Sequence, residues 1–169
     1  MNRLIILRGP MGSGKTCVRT SLVDLLGKDN ACILDLDITE QDKFNQNLKE
    51  CLRYETAIGE MFYGNSHTTN PDHWLSEFRN QDYRILSVIL HATKELCFSR
   101  CKSDPGRPHI NKQREIVFKN HDDFYLRERE SPFQKANVQE IKIETENTSP
   151  IQIAKDILKH FSTVFPPPN

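Results

Sequence analysis

The sequence has no excess of charge of either sign, because 23 Lys and Arg balance 23 Asp and Glu among 169 residues. A protein that coats nucleic acid non-specifically, or one with an acidic tail, would carry a large net charge. Its apolar runs, such as Leu4–Leu7 and Val88–Leu90, are far shorter than the about 20 residues that span a bilayer. No signal peptide is visible, since the first run leads straight into Arg8 and Gly9. We therefore expect a cytoplasmic protein without a membrane partner.

The cysteines do not form a disulfide framework, because there are only five and no two are spaced as Cys-x-x-Cys. Cys97 and Cys101 would share one face of a helix near His91, which leaves a metal site as an alternative. Half-buried thiols are the simpler interpretation.

The length corresponds to one domain, and internal repeats are absent. We predict a single domain over residues 1–165 and a terminal tail over 166–169, which is low-complexity Pro-Pro-Pro-Asn sequence. Apolar patterns predict five strands interleaved with helices, and strand, helix, strand within the first 40 residues indicates a parallel βαβ unit. The expected fold class is therefore a doubly wound α/β domain. The predicted strands cover residues 4–7, 31–34, 56–62, 83–90 and 141–143.

Several helix ends are also predictable. Thr93 and Ser149 are expected to cap the helices that follow them, and Asp72 to cap the short helix that carries Trp74. Residues 111–129 are expected to form a charged helix that is largely solvated.

The strongest motif is Gly9-Pro10-Met11-Gly12-Ser13-Gly14-Lys15-Thr16, which matches the P-loop pattern G-x-x-x-x-G-K-[ST] between a buried strand and an amphipathic helix. Glycines let backbone N–H groups approach phosphates at the positive end of the helix dipole. Lys15 would then reach the β- and γ-phosphates, and the Thr16 hydroxyl would ligate Mg²⁺. The expected cofactors are ATP and Mg²⁺. The expected nucleotide-binding residues are Gly9, Met11, Gly12, Ser13, Gly14, Lys15, Thr16 and Cys17.

Two carboxylates, Asp35 and Asp37, follow the second predicted strand. Ligands of open α/β sheets bind just beyond the carboxyl ends of the strands, and strand alternation would put both side chains on the same side. One could hold Mg²⁺ through water while the other accepts a proton from a substrate hydroxyl. Asp35, nearer the strand, is the better candidate for the metal, and Asp37 for the base, although the sequence leaves the order open. Alternatively, one of them only caps the next helix.

Two arginines, Arg100 and Arg107, flank a loop with two prolines and a glycine. A mobile arginine that closes over the transferring phosphoryl group is a recurrent solution in kinases. Solvated surface arginines are the alternative.

With these three features, the chain resembles the small P-loop kinases of the shikimate, gluconate and adenylylsulfate kinase group, and the broader set with polynucleotide 5′-hydroxyl and zeta-toxin-like kinases. The resemblance implies a five-stranded parallel sheet of order 2-3-1-4-5 and a lid at about residues 103–112. It also implies a metal-water role for Asp35, substrate or base duty for Asp37, adenine stacking for Arg100 and phosphate contact for Arg107. The glycine triplet that shikimate kinases carry after the third strand is missing, and no single member of the group is matched.

The resemblance favours an ATP- and Mg²⁺-dependent kinase whose acceptor is a hydroxyl of a metabolite, sugar, nucleoside or nucleotide, docked between Asp37 and the loop Gly64–His67. A polynucleotide 5′-hydroxyl or nucleotide-sugar kinase is the alternative, disfavoured for nucleic acid by the neutral charge. A regulatory NTPase without an acceptor is a third class; Asn111-Lys112-Gln113-Arg114 lacks the aspartate of a guanine-reading motif. A monomer or a homodimer is expected.

Overall fold

The structure is a computed structural model that describes residues 1–61, 70–104, 106, 113–128, 133 and 138–167. Within these residues, strands and helices alternate as the apolar pattern predicts. None of the described helices combines the length and the apolar character needed to cross a membrane. The strands are β1 (Arg3–Arg8), β2 (Ala31–Asp35), β3 (Thr56–Met61), β4 (Arg84–His91) and β5 (Gln139–Glu144). The described helices are α1 (Lys15–Leu26), α2 (Gln41–Cys51), α3 (Asp72–Asn80), α4 (Lys94–Ser103), α5 (Arg114–Glu128) and α6 (Pro150–Val164).

The five strands form one parallel sheet of order β2-β3-β1-β4-β5, which confirms the expected fold class and strand order. The register sets which residues meet at the carboxyl edge. Leu7 of β1 pairs with Glu60 of β3, and Glu60 pairs in turn with Asp35 of β2. Glu60 therefore lies beside the strand that leads into the P-loop, and Asp35 lies one strand further out.

The central strand β1 is buried on both faces, which explains its continuous apolar run. Leu4 and Ile6 pack into the layer that holds Phe44, Trp74 and Phe78. Ile5 and Leu7 pack on the opposite face. Their partners there come mainly from α1 and α6, namely Val18, Leu22, Ile153, Ile157 and Phe161.

The helix ends follow the sequence with one exception. Thr93 Oγ1 accepts from the Leu96 N–H at 3.3 Å, and Ser149 Oγ accepts from the Gln152 N–H at 3.3 Å, so both predicted caps are confirmed. The prediction for Asp72 was wrong, because α3 begins at Asp72 itself and its N-cap is Pro71. A carboxylate in the first turn still interacts favourably with the helix dipole.

Helix α5 is less solvated than its charge suggests. Val117, His121 and Phe124 are buried, at i, i+4 and i+7 spacing along one face. The His121 ring nitrogen Nε2 lies 2.9 Å from the Ala92 carbonyl oxygen, just after β4. The apolar neighbours and the backbone acceptor explain why this histidine is buried.

Candidate nucleotide and phosphoryl-transfer site

The P-loop connects β1 to α1 with backbone conformations that only glycine adopts readily. Gly12 and Gly14 have φ angles of +80° and +101°, and Gly14 is the N-cap of α1. A Cβ on Gly12 would lie 2.3 Å from the Cys97 carbonyl oxygen, so the loop packs directly on α4. The loop thus leads the chain to the amino end of α1, where backbone N–H groups are available to an anion.

Lys15 begins α1 and is only 5% exposed. Its ammonium group donates to the carbonyl oxygens of Gly9, at 2.7 Å, and Pro10, at 3.0 Å. The side chain is therefore folded back along the loop. This places its positive charge inside the concave loop, where an incoming phosphate would meet it.

The P-loop forms one wall of a cleft of about 660 Å³, within the range of small-ligand sites. Thr145, Thr148, Pro150 and Ile153, from β5 to the start of α6, form another wall. The cleft is lined by polar loop residues and by apolar side chains, a combination that suits a nucleotide. All the predicted P-loop ligands from Met11 to Cys17 line it: Met11, Gly12, Ser13, Gly14, Lys15, Thr16 and Cys17.

Arg100 of α4 joins the two walls. Its Nη1 donates to the Thr145 hydroxyl at 2.9 Å and to the carbonyl oxygens of Gly12 and Ser13 at 3.4 and 3.3 Å. Its Nη2 donates to the Thr145 carbonyl oxygen at 2.7 Å. Arg100 is therefore half-buried beside the loop, and it lines the cleft.

Helix α5 also contacts the P-loop. The Met11 N–H donates to Asn120 Oδ1 at 2.7 Å, so this amide of the loop is already bound by a side chain. Asn120 was not among the residues expected from the sequence. Its contact ties the conformation of the loop to the helix that follows the lid region.

The aspartate pair is only partly in the strand. Asp35 is the last residue of β2, and Asp37 lies in the turn that follows; both are exposed. The Asp37 N–H donates to Asp35 Oδ1 at 3.0 Å, which closes a local turn of the kind aspartate favours. Leu36 between them is buried in the same core layer as Leu34, so the exposed and buried positions still alternate past the end of β2, as the sequence predicts.

The sequence placed Glu60 among polar residues after the third strand that should face the acceptor, but it did not predict a contact of Glu60 with the P-loop threonine. The Thr16 hydroxyl donates to Glu60 Oε2 at 3.1 Å, and Arg19 Nη1 lies 2.8 Å from Glu60 Oε1. Glu60 is only 8% exposed. Because β3 lies next to β1, an acidic residue near the carboxyl end of β3 was the signal that could have identified it.

These groups have the donor chemistry that Mg²⁺ requires. Mg²⁺ binds hard oxygen ligands, and in nucleotide sites it combines one or two carboxylates with water and substrate phosphates. The Thr16 hydroxyl and the Glu60 carboxylate already touch, and Asp35 is paired with Glu60 in the sheet. The donor set therefore fits this ion.

Other expected residues fall elsewhere. Arg107 and most of the expected lid, as well as the loop Gly64–His67, lie outside the described residues. Cys97 and Cys101 are buried against Val117 and Ala92, and not half-buried as the sequence analysis expected. Among the described residues, no three His, Cys, Asp or Glu side chains lie close enough to form a metal site made of protein ligands alone.

The parallel sheet, its strand order and the P-loop between β1 and α1 define the α/β fold of P-loop NTPases. Three similar solved structures are small P-loop kinases, in agreement with the resemblance seen in the sequence. A shikimate kinase from Acinetobacter baumannii in complex with shikimate is 22% identical, with a TM-score of 0.59 over 99% of this chain and 97% of that one.

A gluconokinase from Sinorhizobium meliloti 1021 is 11% identical, with a TM-score of 0.56 over 96% of this chain and 93% of that one. A deoxyadenosine kinase from M. mycoides with bound dATP is 14% identical, with a TM-score of 0.54 over 95% of this chain and 100% of that one. No family model and no curated protein matches the chain. At such low sequence identities, the similarity to these structures shows the fold alone.

Proposed function

We propose that the protein is an ATP- and Mg²⁺-dependent kinase that transfers the γ-phosphoryl group to a hydroxyl of a small molecule. One observation carries the proposal: the P-loop threonine, Thr16, contacts a buried carboxylate, Glu60, whose strand partner is Asp35. A phosphate-binding loop beside paired carboxylates is what phosphoryl transfer needs. The similar structures, which are kinases for shikimate, gluconate and deoxyadenosine, support the same class of reaction.

In this proposal the loop N–H groups and the Lys15 ammonium bind the phosphates. Thr16 and Glu60 would hold Mg²⁺, with Asp35 acting through a water molecule. The bound ion would neutralise charge on the transferred group, which is the main electrostatic demand of this reaction. Arg19 holds one oxygen of Glu60 and keeps the other turned to Thr16.

Asp37 is the proposed base. A hydroxyl group has a pKa far above neutrality, so a carboxylate must orient it and accept its proton as the new O–P bond forms. Asp37 is exposed at the carboxyl edge of the sheet, where an acceptor could reach it. The proton on Asp37 would then pass to solvent. Arg100 would contact the nucleotide base, and Arg107 the transferring phosphoryl group.

The charge balance supports a small acceptor. A polynucleotide would need a basic track, and the net charge of the chain is zero.

The test is phosphoryl transfer from labelled ATP to a panel of hydroxyl compounds that includes shikimate, gluconate, deoxynucleosides and short 5′-hydroxyl oligonucleotides. We expect Lys15→Met to lower turnover by at least about 10²-fold, because it removes a charge that contacts the phosphates. Lys28→Met, at an exposed lysine just after α1, is the matched control and should keep full activity.

Thermal unfolding by circular dichroism checks that both variants fold. Unchanged turnover in folded Lys15→Met protein would refute the kinase assignment. Rapid phosphorylation of the oligonucleotides would overturn the small-molecule acceptor while leaving the kinase class intact.

A further inference from the structure

Two cysteines outside the nucleotide cleft lie in contact. Cys32 is in β2 and Cys51 is the last residue of α2, and their sulfur atoms are 3.0 Å apart. Cys51 is fully buried and Cys32 is half-buried. A covalent S–S bond is about 2.05 Å long, so the sulfurs need to approach each other by only about 1 Å.

The elements that carry the two thiols are held side by side. Asn47 of α2 accepts from the Asp35 N–H at 2.9 Å and donates to the Ile33 carbonyl oxygen at 3.1 Å. These bonds occupy the outer edge of β2, whose inner edge pairs with β3. Just after α2, the Tyr83 hydroxyl donates to the Tyr54 carbonyl oxygen, and it lies 3.3 Å from the Cys51 carbonyl oxygen. Both backbones are thus fixed, and a small movement of the side chains is enough to join the sulfurs.

The two thiols have different chemical characters. The Cys51 S–H donates to the Cys32 sulfur, which lowers the pKa of Cys32, while the same hydrogen bond and then burial raise the pKa of Cys51. Cys32 is therefore the better nucleophile and also the more exposed of the two. Cys51 is placed to attack a Cys32 sulfur that has been oxidised.

We propose that Cys32 and Cys51 are an oxidant-sensitive modification site. A peroxide oxidises the two thiols, which then form a reversible intramolecular disulfide. The Cys32 thiolate attacks a peroxide oxygen, the O–O bond breaks, and Cys32 becomes a sulfenic acid as hydroxide leaves. The Cys51 thiol then attacks that sulfur, the S–S bond forms and water leaves. Overall, two thiols lose two electrons and two protons, and hydrogen peroxide becomes two water molecules.

The bond would fix α2 covalently to the edge strand, three residues before Asp35. It would close a loop over residues 32–51, which restricts the unfolded chain. The site lies outside the residues that line the nucleotide cleft, so the inference does not depend on the proposed kinase activity.

The experiment treats the reduced full-length chain with stoichiometric hydrogen peroxide, blocks the remaining thiols with iodoacetamide and maps tryptic peptides without reduction. We expect one crosslinked product that joins residues 29–43 to residues 50–53, and that disappears after dithiothreitol. The oxidised chain should unfold at least about 5 °C higher than the reduced chain.

Variants make the assignment specific. Cys17→Ser removes an exposed thiol on α1 and should leave the crosslink intact. Cys51→Ala should instead leave Cys32 as a sulfenic acid that dimedone captures. Two outcomes would overturn the proposal: no loss of thiols in the wild-type chain, or a crosslink between other cysteines. Because the peptide map uses the wild-type chain, it decides the question even where a variant fails to fold.

Discussion

A buried arginine next to the P-loop gives a quantitative test of the structure. Arg8 ends β1 and is 0% exposed. Its Nη1 lies 2.6 Å from Glu140 Oε2 and 2.9 Å from the Ser87 hydroxyl, and its guanidinium carbon lies 4.8 Å from the centre of the Phe133 ring. The ion pair therefore joins β1, β4 and β5 directly before the phosphate-binding loop.

Glu140→Ala removes the carboxylate and leaves a guanidinium charge buried. Removing one partner of a buried pair costs about 3–5 kcal/mol. The Glu140 side chain is 23% exposed, so water can solvate part of the site, and the Ser87 and Phe133 contacts remain. We therefore expect the free energy of unfolding to fall by about 2–3 kcal/mol, at or below the low end of that range. For a chain of this size the corresponding fall in Tm is about 5–10 °C.

Glu144 on the same strand supplies a matched control. Its Oε2 lies 2.6 Å from His91 Nδ1, the same separation as in the Arg8 pair, but its side chain is 67% exposed. Exposed ion pairs contribute about 0–1 kcal/mol, so Glu144→Ala should change stability far less. Urea and thermal unfolding followed by circular dichroism measure both variants.

The double variant Arg8→Met/Glu140→Leu separates the cost of a buried unpaired charge from the loss of packing. Replacement of both partners by apolar residues is often close to neutral, so the double variant should be more stable than Glu140→Ala. Equal losses for Glu140→Ala and Glu144→Ala, or a double variant no more stable than Glu140→Ala, would refute the electrostatic reasoning.

The remaining expectations concern the proposed reaction. Asp37→Asn keeps the shape and removes the base, so turnover should fall sharply while titration with a fluorescent nucleotide shows unchanged ATP·Mg²⁺ binding; a normal rate would exclude Asp37 as the base. Asp35→Asn and Glu60→Gln should each raise the Mg²⁺ concentration at half-maximal rate, and an unchanged Mg²⁺ dependence would exclude a metal role. Steady-state kinetics should show that Arg107→Ala lowers kcat by about 10²-fold or more, whereas Arg100→Ala mainly raises the KM for ATP; small and equal effects would contradict both assignments.

Much of the fold could be predicted from the sequence because its strongest signals are local. The apolar run Leu4–Leu7 is buried on both faces of the sheet, as a central parallel strand requires. The P-loop glycines and the caps Thr93 and Ser149 depend on residues within a few positions of each other. Strand order, in contrast, came from the resemblance to small P-loop kinases and was confirmed by the structure.

The features that the sequence did not reveal depend on contacts between residues that are far apart along the chain. The charged stretch 111–129 indicates a solvated helix, yet His121 within it is buried, because Ala92, 29 residues away, offers a carbonyl acceptor. Val117 and Phe124 lie on either side of His121 at helical spacing, and both are buried. The charged residues around them make this apolar pattern hard to recognise in the sequence. Asn120, which binds the Met11 N–H, has no local signal at all, because its partner is 109 positions away.

The position of Glu60 beside Asp35 depends on the register of the strands in the sheet, which the spacing of residues along the sequence does not reveal. Asp35 and Glu60 are direct partners on strands that lie about 4.8 Å apart, and paired residues of parallel strands project to the same face. Two neighbouring carboxylates repel each other unless a cation lies between or beside them. Arg19 supplies one positive charge at 2.8 Å from Glu60, and Thr16 supplies a hydroxyl to its other oxygen. A divalent ion bound beside these carboxylates would add to that neutralisation, and the pairing of Asp35 with Glu60 in the sheet is therefore the feature of the fold that best supports the proposed use of Mg²⁺.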